Sequence, residues 1–138
     1  ICGDGTPNGY AVYEAKGEEI TWRYKSTGHG FDHQLRVYPR GADPTAPDEI
    51  VANVWDWDPD WRVVWYEDGE RRGEMARRVG TDPWSETLHR GDDLPPRRTW
   101  VDPYTIEHLF YAPLSEGARE IRVEATDRFG RVYSAMLE

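Results

Sequence analysis

The sequence predicts an all-β fold, a two-sheet antiparallel sandwich of immunoglobulin-like type with long loops and at most one short helix. Short runs alternate apolar with polar side chains, as in Ile20-Thr21-Trp22-Arg23-Tyr24-Lys25 and Ile121-Arg122-Val123-Glu124-Ala125-Thr126, which is the period of a strand with one buried and one wet face. Clusters of Gly, Pro and Asp punctuate those runs at short intervals. Helical periodicity is almost absent. A closed barrel is the alternative way to arrange so many short strands.

The elements follow in chain order. Gly3-Asp4-Gly5-Thr6-Pro7-Asn8-Gly9 is a turn-rich loop or linker, so residues 1–9 read as a junction and residues 10–138 as one β-sandwich domain. Tyr10 to Glu14 is a short strand, and Glu18 to Ser26 is a second with an apolar and a polar face. A glycine-bounded loop leads to Gln34 to Tyr38, and 41–48 is a loop. Glu49 to Trp55 is an apolar run. Trp61 to Glu67 follows, with Trp61, Val63 and Trp65 on the inner face and Asp68-Gly69 as a tight turn. Gly73 to Val79 reads as one further strand. Thr81-Asp82-Pro83-Trp84 reads as the capped first turn of a brief helix, since Thr or Asp accepts a backbone N–H and Pro is tolerated just inside. Gly91 to Pro103 is a long irregular loop, Thr105 to Tyr111 a strand, and the chain ends in a hairpin turning at Asp127-Arg128-Phe129-Gly130.

Size and charge narrow the function classes. At 138 residues the chain suits a single core. A formal charge of -9 disfavours nucleic acid and anionic membranes, which draw affinity from clustered Lys and Arg. Cys2 is the single cysteine, so neither an intrachain disulfide nor a thiolate zinc cluster forms. The chain starts at Ile1 without Met, and reads as an excised or processed piece.

Three sets of side chains invite chemistry. Asp56, Asp58, Asp60 and Glu67 have the carboxylate spacing of a helix-loop-helix calcium loop, but Trp61 stands where the sharp turn needs Gly and strand pattern fills the second half. A solvated acidic turn is the simpler reading. His29 and His33 flank Asp32 at metal-chelating spacing, yet Gly28 and Gly30 deny them a helix. Trp57, Trp84 and Trp100 lie in loops, where flat aromatic faces could stack on sugar rings, so a carbohydrate or cell-wall partner is the alternative function. No Gly-x-Ser-x-Gly elbow occurs, and none of the serines sits in a local nucleophile signature.

Both ends carry a longer pattern. Asp4-Gly5-Thr6-Pro7-Asn8-Gly9-Tyr10 and Ile121 through Tyr133, with Ala125-Thr126-Asp127-Arg128-Phe129-Gly130-Arg131-Val132-Tyr133 at its heart, resemble the C-terminal domain of bacterial calcineurin-like metallophosphoesterases. The middle fits more loosely, through Val51 to Val54, Asp68-Gly69, Asp82-Pro83 and His108-Leu109. The resemblance implies a secreted or periplasmic parent phosphoester hydrolase. It also implies an upstream catalytic domain in the same chain holding two divalent metals, with this β-sandwich behind it as a non-catalytic accessory domain that packs on that domain or shapes its cleft. Asp4, Thr6, Pro7, Asn8 and Tyr10 would then form the interdomain junction. The metal-binding blocks of such parents, Asp-x-His, Gly-Asp-x-x-Asp, Gly-Asn-His and Gly-His-x-His, do not occur here, so no catalytic residue or cofactor is expected within these residues.

Overall fold

The computed structural model describes residues 1–92 and 100–137. The chain runs β1 (Gly9–Lys16), β2 (Glu19–Ser26), β3 (Leu35–Tyr38), β4 (Glu49–Val54), β5 (Arg62–Glu67), β6 (Glu70–Glu74), β7 (Ala76–Gly80), α1 (Pro83–Arg90), β8 (Ile106–Pro113), β9 (Ile121–Thr126) and β10 (Val132–Leu137). Two four-stranded antiparallel sheets, ordered β10-β9-β5-β6 and β3-β4-β8-β7, make the sandwich, and β1 pairs with β2 in a separate ribbon. The alternation read from sequence dictates the core. Leu35, Ile50, Ala52, Val54, Phe110 and Ala112 of one sheet meet Val63, Ile121, Val123, Ala125 and Tyr133 of the other.

β4 is covered on its second face as well. Val51 joins Tyr38, Ala46, Ile106, Leu109 and Tyr111 in an outer cluster, which is why Ile50 to Trp55 is apolar nearly throughout. Asn53 is the one polar residue in that run and is fully buried.

Two local expectations are corrected. Gly73 to Val79 is two strands rather than one, because Met75 is buried in the core and donates its N–H to the Val63 carbonyl at 2.9 Å, and there the chain passes from one sheet to the other. The apolar face of the ribbon is largely exposed rather than buried. Cross-strand register places Ala11, Tyr13, Ala15, Ile20, Trp22 and Tyr24 on one face, where Tyr13 is 67% and Ile20 56% exposed. On the other face Arg23 stacks on Phe31, 4.2 Å from the ring centre, and approaches the buried Tyr133 hydroxyl. Residues 93–99 of the expected long loop lie outside the described residues.

Candidate functional site

The buried polar side chains concentrate where the leading segment crosses the outer face of the β3-β4-β8-β7 sheet. Asp82 caps α1, accepting the Ser85 N–H at 2.8 Å on one carboxylate oxygen. Its other oxygen accepts the Tyr38 hydroxyl at 2.6 Å and Asn53 Nδ2 at 2.8 Å. Asn53 Nδ2 also donates to the Asp4 carbonyl at 2.8 Å, and Asn53 Oδ1 lies 2.7 Å from His108 Nδ1. Since Asn53 Oδ1 can only accept, His108 carries its proton on Nδ1. Burial holds the His108 pKa below its ordinary value, against the pull of the Asp4 and Asp82 charges. Burial first, and the Asp82 charge second, push the Tyr38 phenol well up, so it stays a donor.

This cluster grips the backbone of the leading segment carbonyl by carbonyl. Ser85 Oγ donates to the Gly3 carbonyl at 2.7 Å, Asn53 to Asp4, Arg36 Nη1 to Gly5 at 3.1 Å, and the Tyr24 hydroxyl to Pro7. The Thr6 and Asn8 carbonyls accept the backbone N–H groups of Cys2, at 2.9 Å, and Thr27, at 2.8 Å. Every carbonyl from Gly3 to Asn8 therefore has a donor, at about 0.5–1.5 kcal/mol net apiece. The close approach demands glycine. Gly5 has φ +80°, and a Cβ there would stand 2.1 Å from the Asp82 carboxylate carbon; at Gly3 it would meet the Asp102 carbonyl oxygen at 2.5 Å.

Among the junction residues expected from sequence, Asp4 accepts the Thr6 N–H at 2.8 Å on its side chain, and Thr6 and Pro7 are buried. Asn8 is exposed and its Oδ1 faces Cys2 Sγ. Tyr10 is the second residue of β1 and is exposed. Sequence reading missed Asn53, Ser85, Arg36, Tyr38 and Tyr24 as the groups that hold this segment. Asn53 alone carried a signal, as a polar residue inside an apolar run.

The second end motif holds the ribbon. Asp127 is buried and gathers the N–H groups of Phe129 and Arg131, each at 2.9 Å, on one oxygen and Arg131 Nε, at 2.6 Å, on the other. Arg131, so aimed, donates to the Trp22 carbonyl on β2. The Phe129 ring meets the Trp22 ring edge-on, with centres 4.9 Å apart. Thus one motif secures the chain entering β1 and the other secures β2.

Asp58 and Asp60 pair with Arg128 at 2.8 and 3.0 Å. Asp56 sits at φ 74°, and burial, then the Asp58 charge, raise its pKa to about 6 despite the Tyr24 backbone N–H. His29 and His33 stack with ring centres 4.1 Å apart. Burial, then His29, lower the His33 pKa. No three His, Cys, Asp or Glu side chains converge as metal ligands among the described residues, so they do not fit the two divalent metals implied for the parent. Trp57 packs toward the core with Arg77 4.7 Å from its ring centre. Trp84 falls in α1 rather than in a loop, because the helix capped by Asp82 begins at Pro83, and Arg36 lies 4.2 Å from its ring centre. Trp100 is 78% exposed.

A β-sandwich whose buried polar cluster is devoted to anchoring its own leading segment defines a chain-anchored β-domain. Residues 1–133 match the family described as the C terminal of calcineurin-like phosphoesterase, and the chain belongs to that family. Neither a curated protein nor a solved structure shows significant similarity to it.

Proposed function

We propose that the domain is a non-catalytic accessory module of a phosphoester hydrolase, packed on the upstream catalytic domain of the same chain and walling one side of its cleft. The observation that carries this reading is the fully bonded run of carbonyls from Gly3 to Asn8. A chain arriving from an upstream domain meets a fixed rail instead of a flexible tether, so the two domains hold a set orientation. The family description, the C-terminal part of a phosphoesterase, supports the order of domains, and the divalent metals and the chemistry belong to the upstream part.

The test compares hydrolysis of chromogenic phosphomonoesters and phosphodiesters, with manganese present, by residues 1–138 alone and by the full parent chain. Turnover by the full chain only is expected. Turnover by the isolated domain would sink the reading.

A further inference from the structure

The ribbon breaks a rule that other strands obey. In β5, β9 and β10 one face of the alternation packs into the core; in β1–β2 the face carrying Thr21 and Arg23 leans toward the sandwich, and the apolar face looks outward. A two-stranded ribbon is marginal in water by itself. This one is held along the β2 edge by Arg131 and at Trp22 by Phe129, contacts that leave Ala11, Tyr13, Ala15 and Ile20 exposed. A contiguous apolar face of this kind on an acidic domain marks a docking site.

Its place in the chain selects the occupant. Gly9 begins β1 directly after the last clamped carbonyl, that of Asn8. Tyr24, at the end of the apolar face, donates its hydroxyl to Pro7, so the face and the leading segment are contiguous through one side chain. A domain joined through that segment is confined beside the face at high effective concentration, and the charged residues Glu14, Lys16 and Glu19 lie on the opposite face.

We infer that the apolar face of the β1–β2 ribbon, formed by Ala11, Tyr13, Ala15, Ile20, Trp22 and Tyr24, is the surface on which the upstream phosphoesterase domain of the same chain docks. This rests on the accessory reading above and adds to it the surface that does the packing.

The experiment introduces single cysteines into the full parent chain by near-isosteric changes on the apolar face, Ala11→Cys and Ala15→Cys, with Glu14→Cys and Lys16→Cys as partners on the opposite face. Maleimide labelling is followed site by site by peptide mass mapping. Because a covered thiol reacts only through openings of the interface, labelling at 11 and 15 is expected to be at least about tenfold slower than at 14 and 16, at any protein concentration. Equal rates at all four positions overturn the inference, and slowing that vanishes on dilution assigns the face to a second copy and overturns it as well. Neither result touches the accessory reading, which fails separately if the isolated domain turns over substrate.

Discussion

Asn53 bridges three groups at once, the Asp82 carboxylate, the Asp4 carbonyl and the His108 ring. Replacing it with alanine leaves all three short of a partner in a dry environment, so Asn53→Ala should cost about 2–3 kcal/mol, read as a lower urea midpoint with an unchanged slope. Gly5→Ala should cost more, because it combines a positive φ with a collision against the Asp82 carboxylate. Asp56 gives a prediction of opposite sign. Its pKa in the fold, about 6, lies above the usual 3.8, so the folded state binds the proton more tightly. The stability this confers is complete below about pH 4 and is lost as pH rises through 6. Asparagine tolerates the left-handed backbone found there. Asp56→Asn should therefore raise Tm at pH 7.5 and have little effect at pH 4, and an equal effect at both would contradict the shift. Little of this was legible beforehand. The sequence offered Thr81 or Asp82 as the helix cap, but the second oxygen of Asp82 answers to residues 44 and 29 positions away, and no local pattern encodes such a meeting.

At the scale of elements, local chemistry was readable where one strand or turn suffices. The capped α1, the Asp68-Gly69 turn between β5 and β6 and the closing hairpin all form as their residues dictate. The Met75 crossing between sheets was hidden because a strand that changes sheets keeps its backbone extended and shifts only its partner. The orientation of the ribbon was hidden for a different reason: alternation tells which face is apolar, never what covers it. Arg131 holds that orientation together with the Phe129–Trp22 and Arg23–Phe31 contacts. Arg131→Ala removes the donor to Trp22 and one partner of the buried Asp127, and it should speed amide exchange in β2 while leaving β4 and β9 protected. Exchange that accelerated uniformly would instead mean that the whole sandwich had been loosened.

For the whole molecule, the two end motifs turn out to be a pair. Asp4 through Tyr10 and Asp127 through Arg131 are far apart in sequence and secure the two sides of one ribbon, so what read in the sequence as two separate motifs is one mechanical assembly. A full chain with an intact clamp should unfold in a single calorimetric transition, and Asn53→Ala in that chain should separate it into two. The passage at Met75 reaches further still. It makes one continuous run of backbone, residues 70–80, the outer border of both sheets. Six of those eleven positions, Glu70, Arg71, Arg72, Glu74, Arg77 and Arg78, are charged. A neighbouring molecule that tried to extend either sheet from this flank would have to bring a row of ionised side chains alongside its own strand. The same stitch that joins the sheets thus also guards this flank of both against edge-to-edge pairing with another molecule.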